Sequence, residues 1–291
     1  MRSRSWSSLR MDSKNIINRV SGGILWCIFY IYTRKRYECT PYPVKDIVTI
    51  PRTIPEDIEI QLSQDYVRVE KATSVCIYNF EGSNVAADAI SAYVYNNSNI
   101  QIHTIVDKSV PEWIGPEVDV IIMAYGGSNI YVESIFNCVK LKGSRVHCIT
   151  SGGKLAELCK ASGDDLHLIP EGLSAFEATG FEMGALVNLY DSIGVQGLKD
   201  AVIQMIPKLK QYRDEIWSSE DVWKLAMKVN GAIPVIYSSG ELRAVHKRWK
   251  FLLNSVLGRL AFSGEIPEFD HNEIVSWTED DDAKEFIILI I

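Results

Sequence analysis

The hydrophobic residues of this chain gather in short runs that alternate with longer segments of mixed composition. The runs are rich in Val and Ile, as in strands that are buried on both faces of a sheet. They lie at residues 73–80, 100–107, 118–125, 144–150, 166–170, 233–240 and 285–291. Strands that alternate with helices predict an α/β fold, in which a doubly wound parallel sheet carries helices on both faces.

The segments between the runs have the apolar spacing of helices, and several begin with a cluster of small residues. We predict helices within residues 54–66, 81–97, 126–143, 151–163, 176–194 and 198–217. With 291 residues, the chain is long enough for one large domain or two small ones. We expect a first domain at residues 48–225 and a shorter second domain at residues 226–291, which the first domain or a partner completes.

Residues 1–47 do not follow this alternation. Their apolar run at residues 22–32 is shorter than the roughly 20 residues that a membrane-spanning helix needs, and no small-residue cleavage site follows it. A buried strand, an interfacial anchor and a start codon placed too far upstream are all physically open. We expect an extension of unknown role and no stable insertion into a membrane.

Composition narrows the classes of function. The net charge of −7 argues against a nucleic-acid partner, because such a partner requires a clustered basic face. The six cysteines are scattered without CxxC spacing, which predicts reduced thiols, a cytoplasmic location and no metal site. No GxGxxG motif and no P-loop follows a predicted strand, so we expect neither a nucleotide nor another cofactor.

Three turns that follow predicted strands are rich in small residues: EGSN at 81–84, YGGSN at 125–129 and TSGGK at 150–154. In open parallel sheets, ligands bind beyond the carboxyl ends of the strands. Each turn places backbone N–H groups at the beginning of a helix, where the helix dipole also favours an anion. One such turn is ordinary, because Gly and Ser commonly begin helices. Three turns on neighbouring strands predict a phosphate-sized site.

The five histidines differ in their sequence surroundings. His103, His147 and His167 lie within strand patterns, so we expect core or edge positions for them. His246 lies among basic residues in a predicted helix, which favours a solvated face. His271 follows a proline in a predicted loop with polar neighbours on both sides. A structural role is the default for a lone histidine, but one that titrates near neutrality also suits a general base.

Two C-terminal segments carry a resemblance to a known family. Residues 248–250 read RWK, and residues 267–273 read PEFDHNE. Together they resemble the C-terminal signature of the bifunctional phosphoglucose/phosphomannose isomerases, which are sugar isomerase (SIS) domain proteins. The three small-residue turns fit the same family less specifically. The likeness covers roughly residues 50–291.

This resemblance implies a fold of two SIS domains, the second truncated here, and an active site at the interface of a homodimer. It implies metal-free isomerisation of glucose 6-phosphate or mannose 6-phosphate to fructose 6-phosphate by proton transfer between C1 and C2. It assigns assistance in opening the sugar ring to His271. It assigns contact with the phosphorylated sugar to residues of the first and third turns: Gly82, Ser83, Thr150, Ser151, Gly152 and Gly153.

The second turn departs from the family, because Ala124, Gly126 and Asn129 stand where the family has Ser, Ser and Thr. We expect Ser128 and backbone amides to replace those hydroxyls in part. Ser255 stands at the position of the family glutamate that moves the C1/C2 proton. A serine hydroxyl acts as a base only with an activating partner, so this change predicts low turnover.

Two further family residues have no counterpart: Phe176 stands at the position of an arginine, and the family's catalytic lysine belongs to a region beyond that matched by this sequence. Two hypotheses stay open. The chain is an aldose–ketose isomerase that uses His271 and a replacement base, for which Glu265, Glu268 and Glu273 are candidates. Alternatively, it is an SIS protein that binds a sugar phosphate or regulates a partner without chemistry. A degenerate product that folds poorly is a third, weaker hypothesis.

Overall fold

The computed structural model describes residues 54–66, 72–80, 82, 84–217, 219–279 and 285–291. Its larger sheet has five parallel strands in the order β2-β1-β3-β4-β5. They are β1 (Ser74–Asn79), β2 (Gln101–Ile105), β3 (Val118–Met123), β4 (Arg145–Thr150) and β5 (Asp165–Leu168). Every strand coincides with a predicted hydrophobic run, and the predicted α/β fold with a parallel sheet is confirmed.

Helices cover both faces of this sheet. They are α1 (54–62), α2 (Asn84–Asn97), α3 (Val132–Leu141), α4 (Gly153–Ser162), α5 (Thr179–Ser192) and α6 (Leu198–Trp217). Side chains of β1 alternate between the two layers, since Val75 and Ile77 pack with α1, α2, α5 and α6 while Cys76 and Tyr78 pack with α3 and α4. Burial on both faces explains why this strand reads as a continuous apolar run.

Helix α5 is buried along most of its length and is crossed closely by α1. A Cβ atom on Gly180 would lie 2.7 Å from Asp57 Cβ, and one on Gly184 would lie 2.7 Å from Gln61 Cβ. Only glycine permits this separation of the two helices. Asn188 Nδ2 then donates a hydrogen bond to Gln61 O at 2.9 Å, which satisfies a carbonyl near the end of α1.

A smaller sheet has three parallel strands in the order β7-β6-β8, which are β6 (Ile233–Ser239), β7 (Phe262–Ile266) and β8 (Phe286–Ile290). Helix α7 (Glu220–Asn230) precedes it, and α8 (Arg243–Phe251) joins β6 to the π-helical turn Leu252–Val256. A single turn, α9 (Glu268–His271), and α10 (Glu273–Glu279) follow β7. The hydrophobic pattern did not predict β7, whose FSGEI sequence is too polar for a core run.

Helix α8 ties the two sheets together. Ala244 belongs to the hydrophobic core of the larger sheet, and Lys247 Nζ lies 2.5 Å from Asp88 Oδ2 on α2. The guanidinium of Arg248 is buried and donates from Nη1 to Thr179 Oγ1 and from Nη2 to Phe176 O, both at 2.9 Å. These contacts fix α8 beside the beginning of α2 and the segment that leads into α5.

Strand β8 lies at one edge of the smaller sheet in the described part of the chain. Ile288 and Ile290 on this strand are 37% and 65% exposed. A groove of 620 Å³ runs beside the strand. Its apolar lining comes from α6, α7, α8 and β8: Ile216, Val222, Leu225, Trp249, Ile288, Leu289, Ile290 and Ile291. The second sheet therefore presents an apolar edge to its surroundings.

Some sequence expectations fall at the limits of what the structure covers. The predicted extension at residues 1–47 lies outside the described residues. Position 225, where we predicted the first domain to end, lies inside α7, so that boundary stays a prediction. The described cysteines are all free thiols, as predicted: Cys76, Cys138, Cys148 and Cys159. Among the described helices, none is long and apolar enough to cross a membrane.

Candidate functional site

The small-residue turns meet at the carboxyl edge of the larger sheet. β1 pairs with β3, and β3 pairs with β4. Backbone hydrogen bonds continue beyond the strands, because Phe80 N donates to Met123 O at 2.9 Å and Ser151 N donates to Tyr125 O at 2.8 Å. The order of the strands reverses between β1 and β3, which is where open sheets of this order bind ligands. The structure therefore brings together the turns that we expected to be neighbours.

The second and third turns touch through their backbones. Gly127 has a φ of +64°, and a Cβ atom on it would lie 2.0 Å from Gly152 O. Gly153 has a φ of +67°, and a Cβ atom on it would lie 2.3 Å from Gly126 O. Both positions require glycine for their backbone conformation and for the space around them. The glycines of YGGSN and TSGGK thus allow the two loops to pack face to face.

Three of the predicted phosphate-binding residues hold these turns together. Thr150 Oγ1 lies 2.9 Å from Gly152 O and 3.1 Å from Tyr125 O, and it accepts a hydrogen bond from Gly152 N at 3.2 Å. Ser151 Oγ donates to Tyr125 O at 2.8 Å. The polar groups of Thr150, Ser151 and Gly152 are therefore engaged within the chain, and their contact with a phosphate stays a prediction.

Ser128 and Gly153 form an open corner between the same turns. Ser128 is exposed and makes no hydrogen bond with any described residue. A Cβ atom on Gly153 would lie 2.6 Å from Ser128 Oγ, so this hydroxyl stands directly beside the first residue of α4. An unpartnered hydroxyl next to the positive end of a helix dipole suits an anion.

The first turn is described only in part. Ser83 lies outside the described residues. Gly82 has a φ of +95°, and a Cβ atom on it would lie 3.4 Å from Phe251 Cζ and 3.8 Å from Ala175 Cβ. The end of α8 and the segment after β5 therefore form the wall beside this turn.

His271 follows β7 of the smaller sheet, whereas the turns belong to the larger sheet. It is exposed and is the last residue of α9, so the predicted loop is in fact a helical turn that begins after Pro267. Its side chain has no hydrogen bond, ion pair or ring contact with any described residue, and no described carboxylate is within hydrogen-bonding distance of it. The structure of one chain gives His271 neither a ligand-binding turn nor a proton acceptor.

Two of the proposed replacement bases are paired with other side chains. Arg243 donates to both oxygens of Glu265, at 2.7 and 2.8 Å, and this interaction holds the pKa of Glu265 below its usual value. Glu268 accepts a hydrogen bond from Asn272 Nδ2 at 2.8 Å. A carboxylate with a lowered pKa is a weaker base, so Glu265 is poorly suited to proton abstraction.

The third candidate, Glu273, is held by the smaller sheet. Its Oε2 accepts a short hydrogen bond from the hydroxyl of Tyr237, which in turn accepts one from Trp277 Nε1 at 3.1 Å. Burial, reinforced by the hydrogen bond to Glu273, raises the pKa of Tyr237 to about 12. The phenol of Tyr237 thus keeps its proton and stays hydrogen-bonded to the carboxylate of Glu273.

The positions at which the chain departs from the family have structural consequences. Ser255 is exposed on the π-helical turn. The ring of Phe176 packs against Phe251 with centroids 6.4 Å apart. A carboxylate that sequence reasoning missed reaches the third turn instead, because Glu171 Oε1 lies 3.3 Å from where a Cβ atom on Gly152 would stand. The sequence signal for Glu171 is its place three residues after β5, at the carboxyl edge of the sheet.

The prediction of a solvated face for His246 is wrong. His246 is only 3% exposed, and its Nδ1 lies 2.7 Å from Ser238 Oγ in β6. The basic neighbours in sequence misled the prediction, because α8 turns Lys247 toward α2 and His246 toward the sheet. His147 and His167 are buried in the larger sheet and His103 lies on the edge strand β2, as predicted.

Metal-ligating side chains do not converge in the described part of the chain. No group of three or more His, Cys, Asp or Glu residues stands where it could hold an ion there. The chemistry available among the described residues of the candidate site is that of hydroxyls, backbone amides and one nearby carboxylate.

Known proteins resemble this chain over most of its length. Residues 219–291 match the family described as the bacterial phospho-glucose isomerase C-terminal SIS domain. A bifunctional phosphoglucose/phosphomannose isomerase from Caldicellulosiruptor bescii is 26% identical over 239 residues, which are 79% of this chain and 70% of that protein. The protein of the same name from Aquifex aeolicus is 26% identical over 213 residues, which are 72% of this chain but only 64% of that protein.

Among solved structures, tagatose-6-phosphate ketose/aldose isomerase from Escherichia coli has a TM-score of 0.55 at 11% identity, and the alignment covers 99% of this chain and 74% of that chain. Two parallel sheets with small-residue turns at the carboxyl edge define the chain as an SIS-domain protein of the phosphosugar isomerase type. Within that class, the relatives of the chain reported above are bifunctional phosphoglucose/phosphomannose isomerases, to which it is similar at 26% identity.

Proposed function

We propose that this chain is a slow phosphosugar isomerase that interconverts glucose 6-phosphate or mannose 6-phosphate with fructose 6-phosphate. The observation that supports this most strongly is the open corner of Ser128 and Gly153, which adjoins the site where the strand order reverses. The names of the relatives supply the substrate and the reaction. We place the enzyme in the cytoplasm, in keeping with the free thiols of its described cysteines.

The substrate phosphate binds at this corner. Ser128 offers its hydroxyl and amide, and Gly153 offers the first amide of α4. Thr150, Ser151 and Gly152 hold the third turn in the shape that exposes these donors. By resemblance to the relatives, Gly82 and Ser83 of the first turn also contact the phosphate.

Glu171 is the carboxylate that we assign to proton transfer. It takes the proton from C2 of the open-chain aldose and returns it to C1, while the C2 hydroxyl proton moves to the carbonyl oxygen on C1. The carboxylate lies beside the third turn but is not hydrogen-bonded to the N–H and O–H donors of that turn. This position suits a group that acts on carbon atoms remote from the phosphate. The family glutamate is Ser255 here and is exposed elsewhere, so Glu171 acts from a different element.

A second copy of the chain supplies His271. Within one chain this side chain makes no hydrogen bond, ion pair or ring contact with any described residue, and it is exposed at the surface. In a homodimer the imidazole of one copy lies beside the turns of the other and assists opening of the sugar ring. No cofactor or metal takes part in this reaction.

The test is hydrogen exchange into fructose 6-phosphate. The purified chain is incubated with the sugar in deuterated water, and deuterium at C1 or C2 is followed by NMR. We expect slow exchange that falls about 10²–10⁴-fold in Glu171→Gln and in His271→Ala. Glu220→Gln, at an exposed carboxylate on α7, is the control and keeps the exchange rate. Exchange that survives in both site variants would refute these assignments.

A sugar-phosphate-binding protein without chemistry is the second candidate. Two observations favour it: Ser255 replaces the family glutamate, and the carboxylates Glu265, Glu268 and Glu273 are all occupied by other side chains. It predicts no exchange at high protein concentration, together with a rise in melting temperature on addition of fructose 6-phosphate. In this case Glu171→Gln tightens binding, because it removes a negative charge beside the phosphate.

A further inference from the structure

Asn79, the last residue of β1, has a buried carboxamide without a partner. The residue is 3% exposed, and neither its Oδ1 nor its Nδ2 is hydrogen-bonded. Both atoms bond strongly to water in an unfolded chain, so burying them unpaired costs free energy. Native proteins keep few such groups, and one that persists calls for a partner that binds there.

The position of Asn79 connects it to the proposed site. It is paired in register with Met123 of β3, so it lies at the point where the strand order reverses. Along β1 its side chain shares a face with Val75 and Ile77, which belong to the layer of α2 and α5. Gly82 of the first turn is only three residues further along. Asn79 therefore lies at the carboxyl edge of the larger sheet, on the strand that leads into the first turn.

We infer that Asn79 binds a hydroxyl group in the sugar portion of the phosphorylated ligand. This inference rests on the proposed function and adds a specificity-determining residue to it. A carboxamide presents a donor and an acceptor side by side, and a hydroxyl can satisfy both. A phosphate dianion only accepts hydrogen bonds, so it would leave Oδ1 unpaired. The carboxamide thus distinguishes a sugar phosphate from phosphate alone.

Because Asn79 is only 3% exposed, a ligand reaches its carboxamide only when the atoms that cover it move aside.

The experiment compares two ligands and three proteins by titration calorimetry. Fructose 6-phosphate and inorganic phosphate are each titrated into the unaltered chain, Asn79→Leu and Asn96→Leu. Leu has nearly the shape of Asn without its polar atoms. Asn96 lies exposed on α2, where its Nδ2 bonds only to Ala92 O of the same helix, so it controls for the substitution itself.

We expect Asn79→Leu to weaken fructose 6-phosphate binding by about 10- to 100-fold and to leave inorganic phosphate binding within about twofold. Its melting temperature without ligand should equal or exceed that of the unaltered chain, because an unpaired polar group has been removed. Asn96→Leu should bind both ligands as the unaltered chain does. If Asn79→Leu does not fold, Asn79→Ala replaces it with the same expected loss.

Several results would overturn the inference. Equal loss of both ligands, or a lowered melting temperature, means that the carboxamide serves the fold. Unchanged fructose 6-phosphate affinity means that only water fills the position. If the unaltered chain does not bind fructose 6-phosphate, both the proposed function and this inference are refuted. If it binds and Asn79→Leu binds equally well, only the inference is refuted.

Discussion

Two of the buried histidines, His147 and His246, respond to their surroundings in opposite ways. Burial alone would lower the pKa of His147, but the carboxylates of Asp119 and Asp165 outweigh it and raise that pKa. Nδ1 of His147 lies 3.0 Å from Asp165 Oδ2, and Nε2 lies 3.6 Å from Asp119 Oδ2. His167 Nε2 shares the same oxygen of Asp165 at 2.9 Å.

His246 has no such counterion within bonding distance. Burial, helped by the positive charges of Lys247, Arg243 and Lys250, lowers its pKa to about 4, although Glu265 opposes this. The imidazole stays neutral and bonds to the hydroxyl of Ser238. The surroundings of His147 thus favour the protonated imidazolium, and those of His246 favour the neutral imidazole.

These preferences predict opposite effects of pH on the free energy of unfolding. The stability from His147 is fully present below the unfolded pKa of about 6.5 and is lost as pH rises through its raised folded pKa. The stability from His246 is present above about pH 6.5 and is lost as pH falls toward about 4, a loss of roughly 3 kcal/mol at most.

Urea unfolding at a series of pH values tests this, with each histidine replaced by Gln. Relative to the unaltered chain, His246→Gln should lose pH dependence between about pH 4 and 6.5, and His147→Gln should lose it above about pH 6.5. Each variant serves as the control for the other. Indistinguishable pH profiles for the two variants would count against both assignments.

At the scale of elements, the sheet could be predicted from the sequence and the active residues could not. Strands such as β3 are buried on both faces, so their composition alone identifies them. β7 was not predicted because its side chains are half-exposed and because it contains Gly264. Glycine is required at that position, since a Cβ atom would lie 2.7 Å from the ring of Tyr237. The partners of Glu265, Glu273 and His246 depend on contacts between elements, which no local pattern records.

The packing of the second turn against the third is the feature of these elements most open to test. Gly153→Ala should destabilise the chain by about 3 kcal/mol or more, because the new methyl group adds a backbone collision to an unfavourable φ. Gly163→Ala provides a matched control: Gly163 ends the same helix with a φ of +71°, and a Cβ atom there meets nothing within 4 Å.

Denaturant midpoints at constant m-value give both free energies. Gly163→Ala should lose only about 1 kcal/mol, the penalty for a left-handed backbone. Equal destabilisation by the two substitutions would show that contact between the turns contributes nothing beyond backbone conformation.

At the scale of the whole molecule, the two parts of the candidate site belong to different sheets. The turns lie on the larger sheet, and His271 lies beyond β7 of the smaller sheet. Helix α8 fixes the relation between the sheets through Arg248 and Lys247, so a simple rotation of one sheet against the other would break buried hydrogen bonds. A shared site in a symmetric dimer resolves this separation without such a cost.

Mixing two inactive variants tests that arrangement. His271→Ala lacks the imidazole, and Ser128→Asp places a carboxylate at the proposed phosphate site. In mixed dimers, one site combines intact turns with an intact imidazole, so an equimolar mixture should recover about a quarter of the unaltered exchange rate. Each variant alone is the control. Absence of recovery in demonstrated mixed dimers would place the whole site within one chain.

The exposed edge at β8 has a consequence for handling the protein. Its backbone groups on one side have no strand beside them in the described part of the chain, and Ile288 and Ile290 flank the apolar groove. Such an edge is a template onto which strands of other molecules can add. Concentrated solutions should therefore self-associate by strand pairing at this edge, and Ile290→Lys should suppress that association.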